Sequence, residues 1–184
     1  MLGFIVRNTN SFRSTDSLIT LFNSYIRSKL EYCSIVWQPY YKVHILMLER
    51  IQRRFCKYLF YIRFRRYPER HIATNVLLDQ FNFCSLDLRR KLASILFLYK
   101  LVHGRIVCTQ LLNDILFRVP RLNARHPITF FIIEHCRTNQ HFHSPLNNMC
   151  RNYNDISYAV DIFLTNYRCF HTFCKNALHV CASF

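Results

Sequence analysis

Two glycines stand in 184 residues, Gly3 and Gly104. No other feature of the chain bounds its fold so tightly. Hairpin turns need residues at positive φ, and glycine supplies that conformation most readily. A sheet protein with many tight turns is therefore disfavoured. The same count excludes two nucleotide-binding loops. The dinucleotide fingerprint needs three closely spaced glycines, and a Walker-type phosphate loop needs two at a fixed spacing. What remains is a mainly α chain.

Such a chain needs apolar stripes, and this one has the material. Hydrophobic residues make up 51% and aromatics 16%, which argues against intrinsic disorder. A chain of this length buries roughly 70% of its unfolded surface. No apolar run approaches the roughly 18–20 residues that span a bilayer. Ile95–Tyr99 and Ile128–Ile133 are core-length. The opening MLGFIVRNTN has no basic region before its apolar stretch, so no secretory leader is expected. The nine cysteines are odd in number and irregular in spacing. Reduced thiols in the cytoplasm or nucleus are expected, with no membrane role.

Periodicity places the elements. Leu2–Val6 reads as a short strand-like run before a polar loop. Thr15 or Asp16 can cap a first helix, whose face holds Leu18, Leu21, Phe22, Tyr25, Ile26 and Leu30 up to the stop at Pro39. A second helix is predicted over about Tyr41–Tyr61, with Ile45, Leu48, Ile51, Phe55 and Leu59 as its stripe. A basic turn, RFRRYPER, centres on Pro68, and a short helix follows over Ile72–Phe81. Ser85 caps a third long helix with Asp87 in its first turn; Leu88, Leu92, Ile95, Leu96 and Tyr99 face its core, and Gly104 ends it. Helices one to three form a bundle joined by short turns.

Beyond Gly104 the pattern weakens. Thr109–Ile115 reads as a short helix, and Phe117–Pro120 and Ile128–Ile133 as extended. Ser144 and Pro145 start a helix that runs to about Tyr153. Asp155–Leu164 and Tyr167–Leu178 complete a helical C-terminal extension. The domain boundary is set at residues 104 and 105.

Charge gives the first functional reading. Lys plus Arg is 25 and Asp plus Glu is 10, a net charge of +15. Arg50, Arg53, Arg54 and Lys57 share one face of the second helix at i, i+3, i+4 and i+7. Like charges at that spacing repel unless they are solvated or meet an anion. Arg63, Arg65 and Arg66 extend the track. Such a set contacts phosphates and gives salt-dependent affinity without sequence reading. Tyr58 and Tyr61 are read first as core residues and second as platforms for bases. Arg89, Arg90, Lys91, Lys100 and Arg105 are read as an ordinary outward helix face.

Several phrases resemble a known family. They are LGFIVRN (Leu2–Asn8), LITLFNSYIRSKLEYCSIVWQPYY (Leu18–Tyr41), LERIQRRFCKYLF (Leu48–Phe60) and SLDLRRKLASILFLYKLVHG (Ser85–Gly104). LLNDILFRVPRLNAR (Leu111–Arg125), RTNQHFHSPLNNMCRNYN (Arg137–Asn154) and DIF (Asp161–Phe163) continue the order. Together they resemble the C-terminal region of jockey-like non-LTR retrotransposon reverse transcriptases. The resemblance covers nearly the whole chain. It implies a thumb-like bundle over residues 1–104 and a post-polymerase extension over 105–184. It also implies a template–primer partner, RNA or an RNA–DNA hybrid, held weakly and without sequence preference.

The family's Phe/Tyr-Ala-Asp-Asp signature is missing. The aspartates are Asp16, Asp79, Asp87, Asp114, Asp155 and Asp161, and no two are adjacent. Nucleotide addition needs carboxylates that hold two metal ions. In the parent family those ions are Mg2+ in the palm. The expectation is a catalytically incomplete piece of an RNA-directed DNA polymerase, with no cofactor of its own. Removal of a palm would expose apolar surface, and Trp37, Phe4 and Ile5 are candidates for self-association or partner binding. A protein-interaction module with no nucleic-acid role is the alternative.

The tail raises a metal question. Cys169, His171, Cys174, His179 and Cys181 crowd together as C-x-H-x2-C-x4-H-x-C, which matches no common zinc finger. Cys136, His141, His143 and Cys150 form a looser set. Buried thiols and surface histidines are the preferred reading of both.

Overall fold

The computed structural model describes residues 1–12, 14–68, 72–118 and 129–181, without the side chains of 179–181. The described chain is mainly helical, and its strands form one two-stranded sheet. It divides into two compact units, Met1–Arg89 and Arg90–Phe184. The division falls inside one long helix, upstream of the Gly104 boundary read from the sequence.

The first unit opens with α1 (Leu2–Asn8). The strand expected over Leu2–Val6 is thus a helix. Its residues Leu2, Ile5 and Val6 stand at helical spacing and pack on the core. Tertiary burial overrides the β preference of Ile5 and Val6 here. Thr9 closes the helix, and its buried hydroxyl lies 3.0 Å from the Tyr58 hydroxyl.

The first long helix is broken where the sequence reads it as continuous. α2 (Thr15–Phe22) runs through a π-helical turn (Asn23–Arg27) into α3 (Ser28–Glu31). The chain then reverses at Cys33, at φ 49°, and forms α4 (Ser34–Trp37). The π turn inserts one residue and rotates the following face. Leu18, Phe22 and Ile26 are buried, but Tyr25 is 59% exposed. The cap is Ser14, whose Oγ accepts from the Ser17 N–H, and not Thr15 or Asp16.

α5 (Lys42–Phe64) carries the core of this unit. It runs about a turn beyond the predicted end at Tyr61. Its buried residues, Gln52, Phe55, Cys56, Tyr58, Leu59 and Ile62, all lie from Gln52 onward, and Ile45, Leu48 and Ile51 of the predicted stripe are half-buried. Phe22 and Phe55 stack at 4.1 Å and 7°, and Phe83 meets both edge-on. α6 (Thr74–Asp79) is shorter than predicted. Asn82, at φ 54°, turns the chain so that the Phe83 N–H reaches the Leu78 carbonyl.

α7 (Leu86–Val102) starts as the sequence predicts. Ser85 Oγ accepts from the Leu88 N–H at 3.3 Å, and Glu49 of α5 accepts from the Asp87 N–H at 2.9 Å. Arg89 pairs in bidentate fashion with Glu31, with the Nη2–Oε2 bond at 2.8 Å. At the far end Gly104, at φ 64°, terminates the helix.

The second unit gathers Ile95, Leu98, Tyr99 and Leu101 of α7 with later elements. α8 (Thr109–Asn113) precedes β1 (Leu116–Phe117), which pairs antiparallel with β2 (Phe131–Ile132), Leu116 opposite Ile132. After α9 (Asn139–Phe142), α10 (Pro145–Asn154) has proline in its first turn as predicted. Ser144 makes no side-chain cap bond; its carbonyl accepts from the Asn148 N–H instead. Asn154 acts as a strand partner to β2: Oδ1 accepts from the Phe131 N–H and Nδ2 donates to the Phe131 carbonyl.

The helix expected over Asp155–Leu164 is a chain of turns. Buried Tyr153 explains it. Its hydroxyl donates to the Val160 carbonyl and accepts from the Ile162 N–H, both at 2.9 Å. Those backbone groups therefore need no helical partner. α11 (Tyr167–Cys181) closes the unit, burying Phe170, Cys174, Ala177 and Leu178.

Candidate nucleic-acid interface

The seven basic residues singled out from the sequence divide into three groups. Arg50 and Arg54 are exposed one turn apart on α5, with Lys57 half-buried on the same side. Arg53 turns inward: it is half-buried and its Nη2 donates to the Ile72 carbonyl at 3.0 Å. Its Cβ lies at the edge of the apolar sector, within reach of the chain leading into α6.

Arg63, Arg65 and Arg66 form the third group, all exposed. Thirteen residues of helix separate Arg50 from Arg63, a rotation about 140° away from the Arg50 direction. The helix-end group is therefore a separate cluster and does not continue the Arg50 ridge. Arg65 lies beyond the last helical residue at φ 54°. Its N–H still reaches the Tyr61 carbonyl at 2.8 Å. Among the described residues Arg89 forms an ion pair with Glu31.

The tyrosines sort as expected. Tyr58 is core, bonded to Thr9. Tyr61 is half-buried and stacks on Tyr67, with centroids 4.8 Å apart and planes 19° apart. Sequence reading passed over Tyr67 and Phe64, which are 68% and 41% exposed. The available signal was the alternation of cations and aromatics in RFRRY.

The outward face expected of Arg89, Arg90, Lys91, Lys100 and Arg105 is corrected at its start. Arg89 is engaged with Glu31, a contact that raises its pKa against the opposing effect of burial. Arg90 is 1% exposed. Lys100 and Arg105 lie over the Tyr167 ring, at 5.6 and 5.1 Å from its centroid.

The apolar candidates also divide. Phe4 and Trp37 are exposed, but Ile5 is a core residue. Phe4 lines a cavity of about 560 Å3 with Met1, Ile5, Leu21 and Tyr25. Tyr32, Val36, Val43, Leu46 and Met47 are exposed as well.

The tail does not assemble a ligand set within the described residues. Cys169 and His171 are exposed on α11, whereas Cys174 is buried, and burial pushes its thiol up to about 12. His179 and Cys181 have side chains outside those described. In the looser set Cys150 is buried, with its thiol pushed up by burial to about 11. Cys136 donates to the Glu134 carbonyl. Among the described residues no three His, Cys, Asp or Glu side chains are grouped to hold a metal ion. No described helix is long and apolar enough to cross a membrane. Comparisons of the chain with family models, with curated proteins and with solved structures find no match.

Proposed function

We propose that the chain is a nucleic-acid-binding segment of the non-LTR reverse transcriptase kind. It corresponds to the thumb and the region that follows, without the residues that polymerise, and it works in the cytoplasm or nucleus. The observation that carries this reading is the pair of exposed arginines, Arg50 and Arg54, one turn apart on α5. The helix-end cluster of Arg63, Arg65 and Arg66 adds to it. Two separate clusters suit a backbone whose phosphates recur along a strand. The family resemblance makes the partner RNA or an RNA–DNA hybrid, and electrostatic contacts of this kind would hold it without sequence preference.

Fluorescence anisotropy with a labelled RNA–DNA hybrid tests the reading. Affinity should fall steeply between about 50 and 200 mM salt. Arg50→Gln with Arg54→Gln should weaken binding on every sequence and lower the salt slope by about 2. Affinity indifferent to salt would remove the phosphate contacts from the account.

A second reading is supported by the exposed apolar side chains of Tyr32, Val36, Trp37, Val43, Leu46 and Met47. Exposed apolar side chains serve protein association where they gather on one surface. Sedimentation of a Leu46→Glu variant separates the two functions. Loss of self-association with unchanged hybrid binding assigns Leu46 to protein contact.

A further inference from the structure

We propose that Tyr67 and Phe64, set among Arg63, Arg65 and Arg66, form a stacking platform for an unpaired base of single-stranded nucleic acid. The proposal rests on the nucleic-acid reading above and names the form of the ligand at one end of α5. The geometry of Tyr67 carries it. One face of its ring is covered by Tyr61, at 4.8 Å and 19°. Tyr61 is half-buried on the helix and fixes the plane. Tyr67 nevertheless remains 68% exposed. A stack of two rings with one open end accepts a third flat ring parallel to it.

The neighbouring groups fit the rest of a nucleotide. Phe64 is also partly exposed, with the Arg63 guanidinium 5.4 Å from its centroid. The left-handed turn at Arg65 takes the chain off the helix axis, so Arg66 and Tyr67 leave the helical ridge together. Three cations and two aromatics within five consecutive residues pair phosphate contact with base stacking. Exposed aromatics standing alone are ordinary on protein surfaces. Here the ring is already held in place, which reduces the ordering entropy lost on binding. Bases inside a duplex have both faces covered by neighbours. An open ring therefore selects the unpaired bases of single strands and bulges.

The test is fluorescence anisotropy of the full chain against two probes. One is a labelled RNA single strand of about 12 nucleotides, the other a blunt RNA duplex of equal length. Tyr67→Ala should weaken single-strand binding by about fivefold or more and duplex binding by less than about twofold. Tyr67→Phe keeps the ring and should bind as the wild type does. Circular dichroism of each variant checks that the fold is retained. Equal losses on both probes, or no loss on the single strand, overturn the platform. If the wild type binds both probes with a steep salt dependence and Tyr67→Ala matches it, the platform alone falls. If the wild type binds neither probe, the nucleic-acid reading falls and the platform with it.

Discussion

Glu49 Oε1 accepts a hydrogen bond from the backbone N–H of Asp87 at 2.9 Å, so a side chain of α5 caps the first turn of α7. The amides at the start of a helix have no intrahelical carbonyl to bond. Ser85 serves the Leu88 N–H, and Glu49 serves the one before it. A carboxylate there also meets the positive end of the helix dipole. Glu49→Ala should destabilise the protein by about 1 kcal/mol. A urea titration should show a lower midpoint at unchanged slope. Glu49→Gln retains the acceptor oxygen and should recover most of the loss. An alanine variant with the wild-type midpoint would mean that water replaces the carboxylate at no loss.

The Phe22–Phe55–Phe83 cluster sets the stability of the first unit. Phe55 is fully buried, stacked on one partner and edge-on to the other. Phe55→Ala should lower stability by about 3–5 kcal/mol, from lost transfer energy and the cavity left behind. Phe55→Leu should lose substantially less. Thermal melts followed at 222 nm would check the order, and equal losses would show that the site collapses around either replacement.

How much of this was legible varies by element, for physical reasons. The ends of α7 were readable because their signals are local: a serine cap, an acidic first turn and a terminal glycine. Its face was read only in part, since Leu88, Leu92 and Leu96 are half-buried while Leu86, Arg90, Ser94 and Leu98 are buried. α1 was misread because the choice between strand and helix was made by what Ile5 packs against, which no window of sequence contains. The break after Glu31 was invisible because a cysteine, not a glycine, takes the left-handed position. Arg90 reads as a surface residue, yet it is buried, and so is Gln52. Gln52 is held by the Cys84 carbonyl at 2.8 Å, a partner thirty-two residues away. The basic face was legible as charge. Its division into a ridge and a helix-end cluster followed from helix geometry, and the inward turn of Arg53 needed the position of Ile72.

The thiols should report burial and pH together. Burial pushes the Cys56 and Cys174 thiols up to about 12 and Cys150 up to about 11, against an ordinary value of 9.0. The reactive species is the thiolate. In the native protein at about pH 8, alkylation should therefore mark exposed Cys33 and Cys169 well before these three. The raised values also set a pH trend. The unfolded chain releases these protons first, so stability is full below the ordinary thiol range and declines as pH rises towards the folded values. The urea midpoint should thus fall from about pH 9 upward. Peptide mapping that finds Cys174 modified as fast as Cys169 would contradict its burial.

Arg65 combines a strained backbone with a proposed phosphate contact. It adopts φ 54° and ψ 20°, a left-handed conformation that glycine takes without a Cβ penalty. Arg65→Gly relieves that strain but gives the unfolded chain more freedom, so the two effects partly cancel. The balance should favour the variant by about 0.5–1 kcal/mol. Binding should move the other way. The guanidinium is exposed, and its loss should lower the salt slope by about 1 on single strands and duplexes alike. A variant that melts higher and binds more weakly fits an arginine whose side chain contacts phosphate at a strained helix end. One that melts higher and binds as before would remove Arg65 from the interface while leaving the stack of Tyr61 and Tyr67 intact.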